Sequence, residues 1–114
     1  MCTREELGHI VEQIARTAQT VFGDALQAVI LYGSYARGDY DAESDVDIMV
    51  LADVPKEKLY LYKKPFIEQT SALGLEYDTV ITVNLKDTET FERYHQVLPF
   101  YRNVMKEGVA VGIG

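Results

Sequence analysis

Asp45-Val46-Asp47 leads directly into the apolar run Ile48-Met49-Val50-Leu51, and this alternation constrains the chain more than any other feature. Successive side chains of a strand leave on opposite faces, so Asp45 and Asp47 share one face while Val46 and Ile48 share the other. Two like charges at the start of an interior strand repel each other and lose hydration unless cations sit between them. The pair therefore reads as a two-carboxylate claw. Upstream, Ala28-Val29-Ile30-Leu31-Tyr32 runs into Gly33-Ser34, a turn whose backbone N–H groups can face an anion beside the claw. Phosphate at the turn and divalent metal at the carboxylates point to nucleotide chemistry.

The rest of the sequence supplies a frame for that site. Thr3 and Glu6 form a capping box, and Leu7, Ile10, Val11, Ile14, Ala15, Ala18, Val21 and Phe22 recur at helical spacing until Gly23. Residues 27–32 and 46–51 read as strands, and 33–44 as a turn able to wind into a short helix over Tyr35-Ala36-Arg37. Pro55 opens a helix with Leu59, Tyr62, Phe66, Thr70 and Leu73 on its apolar side and Gly74 at its end; Pro65 must kink or split it. Leu75 to Val83 reads as a third strand. Phe91, Tyr94, Val97, Leu98, Tyr101, Val104 and Met105 trace helical spacing to Gly108, with a second helix starting at Pro99, and Val109, Val111 and Ile113 suit a short last strand. Helices alternating with strands define an α/β layer structure, and 114 residues suffice for one domain spanning 1–114.

Lys+Arg 11 against Asp+Glu 18 gives a net charge of −7, the wrong sign for gripping a nucleic-acid backbone. The first ten residues hold no apolar segment of signal-peptide length, and no run is long enough to cross a bilayer. Together with the lone Cys2, this leads to an expected cytoplasmic location.

Gly33 and Gly38 have the spacing of a Walker phosphate loop, but Asp39-Tyr40 stands where that loop needs Lys and Ser/Thr. The phosphate counter-charge must then come from metals on the aspartates and from Arg37, which can equally pair with Asp39 or Asp41 at the surface. Two-metal phosphoryl transfer calls for a further acid from a neighbouring strand. Glu76 and Asp78 share one face of the expected third strand, and Asp78, deeper in the apolar run, is the stronger candidate. Asp39, Asp41 and Glu43 read as solvated turn residues, His9 as exposed, and His95 as a partly buried hydrogen-bonding residue. Tyr60 and Tyr62, set among Lys56, Lys58, Lys63 and Lys64, read as a solvated basic helix face with aromatic core contacts.

Gly33-Ser34, ten intervening residues, Asp45-x-Asp47 and the later Asp78 resemble the minimal nucleotidyltransferases of the polymerase-β-like superfamily. Gly33-Ser34-Tyr35-Ala36-Arg37-Gly38, Ser44-Asp45-Val46-Asp47 and Phe100-Tyr101-Arg102-Asn103-Val104-Met105-Lys106-Glu107-Gly108-Val109 carry the likeness along the chain. The resemblance implies a mixed β-sheet flanked by helices, ATP as substrate, Mg²⁺ as two ions, and transfer of AMP to a hydroxyl. It implies that Gly33 and Ser34 hold the triphosphate, that Asp45 and Asp47 bind the metals, and that Asp78 joins them as the third acid. It further implies a HEPN-domain toxin as partner, adenylylated on a tyrosine, with this chain as the antitoxin. The alternatives are the catalytic half of a two-component enzyme acting on a small aminoglycoside-type hydroxyl, or an antitoxin that works by binding alone.

Overall fold

The computed structural model describes residues 3–33, 45–94 and 109–110. Its first helix, α1 (Arg4–Phe22), begins with the expected reciprocal cap. Thr3 Oγ1 accepts the Glu6 N–H at 3.1 Å, and Glu6 Oε1 accepts the Thr3 N–H at 2.9 Å. The stripe Ile10, Val11, Ile14, Ala15, Ala18 and Phe22 is buried, as the spacing requires, and His9 is exposed. A 3-10 turn over Gly23–Ala25 then delivers the chain to β1 (Leu26–Tyr32).

β1 pairs antiparallel with β2 (Val46–Ala52), and β2 pairs parallel with β3 (Ile81–Asp87). A two-residue β4 (Val109–Ala110) lies antiparallel to β1 on its other side, giving the order β3-β2-β1-β4 in a mixed sheet. Strand alternation divides the sheet into two unlike faces. Val46, Ile48, Val50 and Ala52, with Val29, Leu31 and Ile81, pack against Ile10, Ile14 and Ala18 of α1 and against the second long helix. Each large aliphatic fully buried there contributes roughly 1.5–3 kcal/mol. The opposite face carries Met49 and Leu51 with Ala28, Ile30 and Tyr32, and is closed in part by Phe91.

Pro65 splits the expected second helix. A 3-10 segment, Lys56–Tyr62, gives way to α2 (Lys63–Tyr77), with Pro65 in the first α-helical turn, where a missing N–H costs little. Tyr62 packs tilted against Phe22 at a ring-centroid distance of 4.9 Å, and Phe66 stacks on the same ring at 6.2 Å, fixing the start of α2 to α1.

The end of α2 departs from the sequence expectation. Gly74 does not stop the helix; it stays helical because its carbonyl accepts the N–H groups of both Asp78 and Thr79 in the closing turn. A Cβ at Gly74 would stand 2.9 Å from the Thr79 carbonyl oxygen, so the close approach of the returning chain is what demands glycine there. The helix ends at Asp78, which adopts φ 50°, ψ 53°. The third strand accordingly starts at Ile81 rather than at Leu75. Thr88–Tyr94 forms a short helix, α3, three residues earlier than Phe91, and the Asp87 carboxylate accepts the Thr90 N–H at 2.8 Å at its start. The expectations for 34–44, for His95 and for the helices after Tyr94 lie outside the described residues.

Candidate active site

The β1–β2 register sets Tyr32 directly across from Asp47, and the β2–β3 register sets Thr82 beside it. Asp45 is exposed one residue before β2; Asp47 is half-buried. Between β1 and this pair, Gly33 turns the chain away at φ 78°, and a Cβ built on it would lie 2.6 Å from Asp47 Oδ2. Only a glycine leaves room for the carboxylate where it stands. The contact of Gly33 with Asp47 joins two halves of the sequence motif in space.

Burial raises the Asp47 carboxyl above its usual 3.8, and the charge of Asp45 raises it further. A carboxylate held under such repulsion gains by binding a cation, and an acid on the strand with a second acid just before it suits a hard, oxygen-loving ion such as Mg²⁺. Among the described residues no group of three His, Cys, Asp or Glu side chains converges to hold a metal.

The third acid inferred from sequence does not lie on a strand. Asp78 is not on β3 but is the exposed left-handed cap of α2, and Glu76 is an exposed residue of that helix. The strand depth that favoured Asp78 over Glu76 does not exist, because Leu75-Glu76-Tyr77 continues the helix and the strand begins at Ile81. Asp78 still stands at the sheet end that carries Asp45, since Val46 donates its N–H to the Val80 carbonyl at 2.8 Å where β2 and β3 begin side by side. Ser34 and Arg37 lie outside the described residues.

Two residues not singled out in the sequence complete the floor of the site. The Asn84 side-chain amide donates to the Tyr32 hydroxyl, bridging β3 to β1 across the face of β2 next to Asp47. Burial pushes the Tyr32 phenol above 10, the Asn84 hydrogen bond works against this, and the neighbouring Asp47 adds to it. A polar Asn84 within Ile-Thr-Val-Asn-Leu was the available signal, since an amide on a strand face needs a partner.

Residues 11–111 match the nucleotidyltransferase domain family. This chain belongs to that family. The nucleotidyltransferase is 41% identical over 78 residues to a Methanocaldococcus jannaschii protein provisionally named a protein adenylyltransferase, covering 68% of this chain and 76% of the relative. It is 31% identical over 87 residues to the protein adenylyltransferase MntA of Thermococcus cleftensis, covering 75% and 84% respectively. Among solved structures it resembles a chain of a toxin–antitoxin crystal structure with AMP-PNP, with TM-score 0.52, 18% identity, and coverage of 90% of this chain and 70% of that one. It also resembles a provisionally assigned nucleotidyltransferase, with TM-score 0.51, 17% identity, and coverage of 92% and 99%. At such identities these likenesses show the shared α/β fold. No helix among the described residues is long and apolar enough to cross a membrane.

Proposed function

We propose that this nucleotidyltransferase transfers AMP from ATP to a hydroxyl of a partner protein in the cytoplasm, that the acceptor is a tyrosine of a HEPN-domain toxin, and that the chain thereby acts as antitoxin. The observation that carries the reading is the half-buried Asp47, repelled by Asp45 and seated against Gly33, in a family whose chemistry is nucleotidyl transfer. The protein-adenylyltransferase names of the archaeal relatives support a protein acceptor.

Asp45 and Asp47 would hold two Mg²⁺ ions, which when bound neutralise the triphosphate and stabilise the entering and leaving oxygens. The acceptor oxygen attacks the α-phosphorus, the bond from the α-phosphorus to the oxygen bridging it to the β-phosphorus breaks, pyrophosphate leaves, and the acceptor's proton passes to water. Gly33 leaves room beside the Asp47 carboxylate, and Ser34 and Arg37, which follow it in the sequence, would bind the phosphates. Tyr32 and Asn84, joined by their hydrogen bond, form the floor beside Asp47.

Incubation with α-labelled ATP, Mg²⁺ and the protein encoded beside this one should label that protein on tyrosine, with loss of label in Asp45→Asn and Asp47→Asn. Label found only on an aminoglycoside-type small molecule would replace the protein acceptor, and a tight complex without any label would replace catalysis by binding.

A further inference from the structure

Tyr60 and Leu61 are large apolar side chains left 67% and 60% exposed, whereas their neighbours Leu59 and Tyr62 turn inward. They stand in a segment with a local charge opposite to that of the whole. Lys56, Lys58, Lys63 and Lys64 fall within nine residues of a chain whose net charge is −7. The ion pairs Arg16–Glu12 and Arg93–Glu89 involve none of these four lysines, and Lys56 lies close enough to Asp87 for its charge to act on that carboxyl. A cavity of about 430 Å³ opens between this segment and the end of β3, with Lys56, Lys63, Lys86, Tyr60 and Leu85 in its wall.

The cavity is tied to the active site by the sheet. β3 is the outer strand among the described residues, so an extended chain can run along it. Thr82 pairs with Asp47 and Lys86 pairs with Leu51, which puts Lys86 on the Asp47 face four residues further along. At the rise of a strand this is roughly 13 Å.

We propose that this lysine-lined end of β3 is the docking surface for an acidic segment of the acceptor protein, with Tyr60 and Leu61 as its apolar rim. The assignment rests on the acceptor being a protein. A segment whose hydroxyl reaches Asp47 places a residue about four positions away, in extended conformation, at Lys86 and its neighbours. A carboxylate there enters the cavity that Lys56 and Lys63 also line, on a protein whose net charge is −7. A nucleic-acid strand fits less well, because Glu57 and Asp87 interrupt the same wall and would face a continuous row of phosphates.

The test uses the full chain and a fluorescent random Glu–Tyr copolymer, an acidic polypeptide with acceptor hydroxyls. Wild type should bind it, with affinity falling about tenfold or more in Lys56→Glu/Lys63→Glu and less in the corresponding double alanine variant. Mg·ATP affinity by calorimetry should be the same in all three, because no substituted residue belongs to the carboxylate site. Equal copolymer binding by wild type and the charge-reversed variant overturns the proposal, as does tighter binding of single-stranded RNA than of copolymer. Transfer of AMP to the copolymer is read separately: a raised KM with unchanged kcat in the variants supports docking. Charge-dependent binding with no transfer in wild type leaves the docking surface standing and counts against protein adenylylation.

Discussion

Gly33→Ala isolates the contact on which the active-site reading depends. The new Cβ would lie 2.6 Å from Asp47 Oδ2, 3.5 Å from its Cγ and 3.6 Å from its Cβ, at a residue with φ 78°. The backbone strain of a left-handed alanine costs about 1–2 kcal/mol. The 2.6 Å contact is with the far end of a side chain, so it is relieved by turning the Asp47 carboxylate aside, at about 0.5–1.5 kcal/mol for an off-rotamer torsion. The fold should survive with its melting temperature lowered by roughly 5–15 °C. The functional cost should be out of proportion to this, because the turned carboxylate no longer faces the place where Asp45 can share a cation with it. Calorimetry of ATP with and without Mg²⁺, at a temperature where both proteins are folded, should show Mg-dependent affinity reduced by about tenfold or more, approaching that of Asp47→Asn. An unchanged Mg·ATP affinity in a protein that has lost the expected stability would refute the reasoning, since Asp47 could then work from a position other than the one beside Gly33.

Because the folded-state carboxyl of Asp47 is raised above 3.8, its protonation favours the fold, a contribution complete below 3.8 and lost as pH rises through the raised value. In EDTA, Asp47→Asn should therefore melt above wild type at neutral pH, with the difference vanishing below 3.8, as followed by thermal denaturation across that range. Asp87 behaves oppositely: burial pushes its carboxyl up, but the hydrogen bonds from Thr90 and its own backbone, with the charge of Lys56, hold it below 3.8. Asp87→Ala should cost about 1 kcal/mol by loss of the Thr90 cap, a deficit present above 3.8 that shrinks as pH falls through the lowered value. Asp78→Asn, which keeps a residue tolerant of φ 50°, should match wild type in stability and retain transfer within about threefold. A hundredfold loss of transfer would instead return Asp78 to the reaction.

Local signals were legible where they agreed with the tertiary fold. The Thr3–Glu6 box and the apolar stripe of α1 needed only short-range periodicity, and Asp45-Val46-Asp47-Ile48 gave the two faces of β2 because one face is buried against that stripe. Pro65 announced the break before α2 by its missing N–H. The stretch around Gly74 misled because a glycine near a helix end serves either as the left-handed residue or as the residue over which the chain folds back. Here Asp78 takes the first part and Gly74 the second. That choice shifted the start of β3 to Ile81 and removed the basis for a strand-borne Asp78. Tyr32 with Asn84 was illegible for a different reason: their bond spans 52 residues of sequence and exists only through the registers of two strand pairs.

The two-faced β2 strand also bears on how the chain reaches its native state. A slip of one residue against β1 would swing Asp45 and Asp47 onto the face occupied by Ile10 and Ile14, where an ionised carboxylate costs several kcal/mol. The carboxylates would thereby act as a proofreading device during sheet assembly, penalising the mispaired strands while leaving the correct pairing only mildly strained. A double Asn variant, better tolerated in the metal-free native protein, would lose that discrimination, and its refolding from denaturant should divide between a fast, correctly paired population and a slower one that must unpair before it can proceed.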